Sequence, residues 1–254
     1  MSDLGKALAD KINGDFRANM TASERIKTLE SKAASGRATY KDANEYSLKA
    51  GEELAKAYRG NVSSEVLPDG YMDYDLAKEV LTPTTRANYD AVVEYGAKTQ
   101  RAFNKSAGVS GLKPQIPDLD EDRIDGLAEF ISGNRYEDRA RMFEQALVNL
   151  SQHHIDAMVR DNGRFLSEAG YRPRISREAD GGACTWCLDR VGTYPYGDEP
   201  TDIYERHRDC RCVTTLERGG RYESVWNKVE YDSVREARIA REEEILAAQE
   251  ARKR

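Results

Sequence analysis

Apolar residues recur every three to four positions through the first two-thirds of the chain, the period of helices with one buried face. In TASERIKTLESKAASG, Thr21 and Glu24 have capping-box spacing, which predicts a helix that stops near Gly36. In TYKDANEYSLKAGEELAKAYRGN, Tyr46, Ala50, Leu54 and Ala57, with Tyr58 beside them, form an apolar face that ends near Gly60. The stretch LTPTTRANYDAVVEYGAKTQRAFNK predicts a third helix, capped by Thr82 with Pro83 at its first position. Ala91, Val92, Tyr95 and Phe103 supply its buried stripe. Pro114, Pro117 and several glycines then break the pattern over SAGVSGLKPQIPDLDED, which reads as a loop or hinge. The strongest periodicity follows, from about Glu137 to Ala169, with Phe143, Leu147, Leu150, His154, Met158 and Phe165 on one side. Gly170 stands where a C-terminal cap is expected.

At YRPRISREA the pattern changes to short alternation, as for a strand. Beyond Trp226, Ser233 and Glu236 have capping-box spacing and predict a charged terminal helix. Its apolar face is thin: Val234, Ile239, Ile245 and Leu246. The chain shows no internal repeat.

Composition changes this picture in two ways. Charged residues make up 33% of the 254 positions, which fits long, solvated helices. The net charge of −6 removes any bulk attraction to nucleic acid or an anionic membrane. The start, MSDLGKALADKINGDF, lacks the pattern of a secretory signal, and no segment approaches the ~20 apolar residues of a membrane span. The expectation is a chain made in the cytoplasm, where thiols stay reduced.

All four cysteines fall between residues 184 and 212. Clustered thiols in a reducing compartment point to metal or redox chemistry. Cys184 and Cys187 are spaced C-x2-C, so one tight turn can aim two thiolates at one ion. His207 and Cys210 are spaced H-x2-C and form a matching turn, with Cys212 two residues on. This predicts a structural Zn2+ with five candidates for four tetrahedral places. The first choice is Cys184, Cys187, His207 and Cys210, and Cys212 could replace either member of the second pair. A redox C-x2-C is disfavoured because the thioredoxin-like βαβ setting is absent. The sequence lacks H-E-x-x-H and the deaminase His/Cys-x-Glu pattern, so no catalytic metal site is expected.

Together these features predict a mainly α fold of long helices, with a small C-terminal α+β zinc-binding module and a terminal helix. The expected organisation is a helical domain over 1–170, a zinc-knuckle module over 171–228 and a charged helix over 229–254. Arg206, Arg208 and Arg211 could form a nucleic-acid contact, though neutralisation of a thiolate-rich centre is the simpler reading. Trp186, Tyr194, Tyr196, Tyr204 and Trp226 read as the module's own core. His153 and His154 read as surface or core residues, and PDLDEDRID as a solvated loop that leads into a helix.

In order, HHIDAMVRDNGRFLSEAGYRPRISREADGGACTWCLDRVGTYPY, YERHRDCRCVTT and GGRYESVWNK resemble the C-terminal module of bacteriophage head morphogenesis proteins, the Mu F-like minor capsid proteins. Cys184, Cys187, Gly192, His207, Cys210, Arg211 and Cys212 carry the resemblance, which covers about residues 150–228. Arg208 stands where many relatives have proline. The resemblance implies a non-enzymatic minor protein of a phage head, made in the host cytoplasm and then kept in the virion. Its implied partners are the portal or major capsid protein and the packaged DNA, with no membrane and several copies per particle. A zinc-dependent nucleic-acid-binding protein is the alternative. A metalloenzyme is a third reading and would need Asp189, Asp209 or Glu205 at the ion.

Overall fold

A computed structural model describes residues 1–219. The fold is mainly helical, with a small antiparallel sheet at the end of the described chain. The helices are α1 (Asp3–Ala22), α2 (Glu24–Ala34), α3 (Tyr40–Asn61), α4 (Tyr74–Ser106), α5 (Glu121–Ser132), α6 (Tyr136–Glu168) and the single turn α7 (Thr185–Leu188). The strands are β1 (Arg174–Glu178), β2 (Gly192–Pro195) and β3 (Val213–Glu217). This is the expected fold class: long helices followed by a small α+β module.

Local chemistry sets the helix ends. Asp42 and Thr39 cap α3 reciprocally, each side chain accepting from the other's backbone N–H. Gly170, at φ 83°, takes the left-handed conformation that closes α6, and its N–H donates to Ser167 O at 3.0 Å. Two expected starts are corrected. Thr21 lies in the last turn of α1, and α2 is capped instead by the Ser23 hydroxyl. Helix α4 begins nine residues before Pro83, capped by Asp73, and Pro83 lies inside it. An interior proline removes one helix hydrogen bond. Here the helix continues because its apolar face, with Leu76, Ala77, Val80, Leu81 and Val92 all buried, spans the break. The Thr84 and Thr85 hydroxyls also bond back to Val80 O (2.8 Å) and Leu81 O (2.7 Å).

Helices α3 and α6 pack closely because Gly51 removes a side chain at their contact. A Cβ there would lie 2.8 Å from Val148 Cα. Tyr46 of α3 stacks on Tyr95 of α4 at 4.2 Å, and Tyr58 meets the Phe143 ring edge-on at 5.2 Å. Among the described residues, no helix is long and apolar enough to cross a membrane.

The strands run in the order β2-β1-β3. Ile175 stands opposite Tyr194 on one side and Leu216 on the other. Ile175, Ile203, Tyr204 and Leu216 belong to the same buried core as the helices. Residues 1–219 therefore form one unit, and the expected boundary at residue 170 falls inside it. Asn44 of α3 closes the outer edge of β3, donating through Nδ2 to Thr214 O at 2.7 Å. Trp226 and the terminal helix expected over 229–254 lie outside the described residues, as does the end of the 171–228 module.

Candidate metal centre

Two tight turns carry the donors. Cys184 caps α7, whose one turn brings Cys187 round to the same side, with Leu188 N donating to Cys184 O at 3.0 Å. The second turn is closed by Cys210 N donating to His207 O at 3.2 Å. Asp209 in this turn has φ 60°, a left-handed conformation that Asp tolerates better than most residues. Cys212 lies just before β3.

The turns bring all five donors together as two overlapping triads. The ligand atoms of Cys184, Cys187 and His207 all lie within 4.8 Å of one another, and so do those of Cys187, Cys210 and Cys212. Cys187 belongs to both. Its Sγ is 2.8 Å from His207 Nε2 and 3.8 Å from Cys210 Sγ, and Cys184 Sγ is 3.3 Å from the same imidazole nitrogen. A tetrahedral ion with the usual metal–sulfur and metal–nitrogen bonds sets sulfur–sulfur edges of about 3.8 Å and sulfur–nitrogen edges of about 3.6 Å. The Cys187–Cys210 edge matches such an ion, while the Cys187–His207 edge is shorter by about 0.8 Å and the two triads meet only at Cys187, so the two turns must shift by about an ångström for one ion to take donors from both. Cys187, Cys210 and Cys212 are buried, while Cys184 is at the surface.

The surroundings orient the imidazole. His207 Nδ1 lies 2.6 Å from Arg208 O. A carbonyl can only accept, so Nδ1 carries the proton and Nε2 faces the two sulfurs with a free lone pair. Trp186 meets the ring edge-on at 5.6 Å, and Asn149 of α6 donates to His207 O at 2.9 Å.

Buried arginines stand beside the sulfurs. Arg177 on β1 is 1% exposed. It donates to the carbonyls of Ile203 and Glu205, the latter at 2.9 Å, and its Nη2 lies 3.5 Å from Cys210 Sγ. Arg190 stacks on Trp186 at 3.7 Å and pairs with Asp202, which ties the first turn to the loop before the second. Cys210 is pulled down to about 4, first by the hydrogen bond from Cys212 and then by Arg206 and Arg177. Burial pushes the Cys187 thiol up. Cys212 is also raised, chiefly because it donates to Cys210.

The three arginines named as a possible nucleic-acid contact differ in exposure. Arg206 is buried and pairs with Asp156 of α6, so it is not available to a phosphate. Arg211 pairs with Glu52 at 3.0 Å. Arg208 is exposed, with Asp209 at 3.6 Å. The carboxylates that a metalloenzyme would need also lie elsewhere. Glu205 pairs with Arg123 at 3.1 Å, Asp189 caps the end of α7, and among the described residues no carboxylate joins either triad. His153 and His154 are buried in α6, and Asp120 caps α5 at the end of the acidic loop. Arg177 went unread in the sequence, although the alternation of RISRE places it on the face of buried Ile175.

The Cys and His cluster could therefore bind a metal ion. No protein-family model matches this chain, no curated protein is detectably similar to it, and no solved structure matches it.

Proposed function

We propose that this chain is a minor structural protein of a bacteriophage head whose centre holds one structural Zn2+. The observation that carries the reading is the donor cluster itself: four thiols and one correctly protonated imidazole, gathered from two turns with no carboxylate among them. Zinc suits this donor set because it accepts sulfur and nitrogen ligands in a tetrahedron without redox change. A shell of this kind favours stability over hydrolysis, since a catalytic zinc keeps a place for water and needs a base beside it.

The role in a phage head rests on the motif C-x2-C…H-x2-C-R-C and its resemblance to head morphogenesis proteins. Two structural features are consistent with an assembly role. The two turns are fastened to the helical body, through Asn149 to His207 O and Arg206 to Asp156. The helices around it expose mostly charged residues, as a protein assembled among others in the host cytoplasm would. The partners on this reading are the portal or major capsid protein, with several copies per particle. Contact with packaged DNA would have to use surfaces other than Arg206. The burial of Arg206 and the pairing of Arg211 count against the alternative of a zinc-dependent nucleic-acid-binding protein.

The test has two arms. Elemental analysis of the purified full chain should find about one zinc per chain. Heads purified from a phage that encodes the chain should contain it in a fixed ratio to the portal. A chain absent from both procapsids and mature heads overturns the assembly role, and salt-sensitive binding to DNA by the isolated chain would favour the alternative.

A further inference from the structure

The centre has one sulfur more than a tetrahedral ion takes, and the surplus sits on one side. Cys184, Cys187 and His207 form one triad, while Cys210 and Cys212 both lie within 4.8 Å of Cys187 and of each other. Both sulfurs thus face Cys187, while neither lies within 4.8 Å of Cys184 or His207, so whichever of the two joins the first triad does so as the two turns close on the ion. Both are buried, so neither must leave solvent to reach the ion.

We propose that Cys210 holds the fourth place and that Cys212 is a reserve ligand that takes it over, with Cys184, Cys187 and His207 common to both forms. The inference rests on the zinc reading above. Cys210 is the resident because its Sγ stands 3.8 Å from Cys187 Sγ, the edge length of a zinc-thiolate tetrahedron, and receives Arg177 Nη2 at 3.5 Å. Cys212 is held at the same site by its backbone: Arg206 Nη1 donates to Cys212 O at 2.9 Å. Gln152, oriented so that its amide nitrogen donates to Cys210 O at 3.1 Å, accepts from the same guanidinium at 3.2 Å. The two carbonyls are thus tied to one arginine while the two sulfurs share one neighbour. In the exchange one zinc–sulfur bond breaks and another forms, and the thiol proton of Cys212 passes to Cys210. Thiolate count and net charge are unchanged, so the surrounding arginines balance either form equally.

The experiment uses the full-length chain with Cys210→Ser, Cys212→Ser, both together, and Cys187→Ser. Zinc content is read by native mass spectrometry. Thiolate number is read from the sulfur-to-metal charge-transfer intensity of the cobalt(II)-substituted protein. Cys212→Ser should keep one zinc and the wild-type intensity. Cys210→Ser should also keep one zinc at three-thiolate intensity, with affinity lowered on the order of 10–100-fold. The double variant and Cys187→Ser should lose the zinc. A two-thiolate spectrum or a metal-free Cys210→Ser chain, with zinc retained by Cys212→Ser, overturns the proposal. So does loss of zinc from Cys212→Ser, which remains readable if Cys210→Ser fails to fold. A wild-type chain without zinc fails the metal reading itself, before any variant is compared.

Discussion

Arg206 and Asp156 form a two-pronged ion pair inside the protein, Nε to Oδ2 at 2.5 Å and Nη2 to Oδ1 at 2.9 Å, with side chains 3% and 0% exposed. The pair joins the segment before His207 to the middle of α6. Arg206 also reaches Cys212 O and Asn44 Oδ1, so one guanidinium holds a metal-turn carbonyl, α6 and α3 together. Every charge in the contact has a partner, the condition under which a buried ion pair is tolerated.

Breaking the pair from one side leaves an uncompensated buried charge. Asp156→Ala and Arg206→Ala should each lower unfolding free energy by about 3–5 kcal/mol. The double variant should lose less than the sum, because no lone charge remains. Chemical denaturation of the four proteins closes this cycle, and additive losses would show that the two side chains act independently.

Removal of the metal should act locally first. A structural zinc contributes on the order of 10 kcal/mol of apparent folding free energy. A chelator should open the segment from Ala179 to Cys212 to proteolysis while α1 to α6 stay protected, because most of the shared core lies in those helices and the segment adds only Ile203 and Tyr204 to it. Hydrogen exchange with and without chelator reads this directly. Simultaneous loss of protection in α3 and α6 would show that the module and the helical body unfold together.

Gly51 and Gly14 should respond in opposite ways to alanine. A Cβ at Gly51 would lie 2.8 Å from Val148 Cα and 2.9 Å from Ser151 Cβ, so α3 and α6 must separate. Gly51→Ala should cost about 1–3 kcal/mol. Gly14 is exposed in α1 with open space around its Cβ position, and Gly14→Ala should stabilise by about 0.5–1 kcal/mol. Thermal melts of both variants check the pair.

How much of this could be read in the sequence depends on the range of the interaction. Helices α3 and α6 were legible because their apolar stripes repeat locally, and the gathering of the Cys and His donors because C-x2-C and H-x2-C fix turn geometry within four residues. Pro83 was misread because the preference of proline for a first turn is a statistical rule. The apolar face that carries α4 through it starts further back, at Leu76. The burial of Arg206 was not legible because its neighbours in sequence are charged, while the partner that buries it lies 50 residues away. Arg177 is the same case: the groups that satisfy it are carbonyls and a sulfur 26 to 33 residues on.

Asp209 offers a test of the second metal turn. Its φ of 60° is open to Gly, tolerated by Asp and Asn, and strained for a β-branched side chain. Asp209→Gly should keep zinc affinity and stability. Asp209→Val should cost about 1–2 kcal/mol and weaken zinc binding. Equal behaviour of the two variants would mean that the carboxylate, not the backbone, matters at this position.

Acid should destabilise the helical body through His154. Burial first, and the neighbouring His153 second, hold its pKa down to about 3, and its Nε2 has no hydrogen-bond partner among the described residues. In the unfolded chain the same group protonates near 6.5. The unfolded state therefore binds more protons below that pH, and stability falls as pH drops from 6.5 towards 3. The contribution of His154 at pH 5 relative to pH 7 is a loss of about 2 kcal/mol. His153 is lowered for the same first reason and adds in the same direction. Denaturation midpoints at pH 7 and pH 5 should converge in His154→Leu relative to wild type, since leucine cannot take up the proton. An unchanged pH dependence in that variant would assign the acid sensitivity to the carboxylates and to His153 instead.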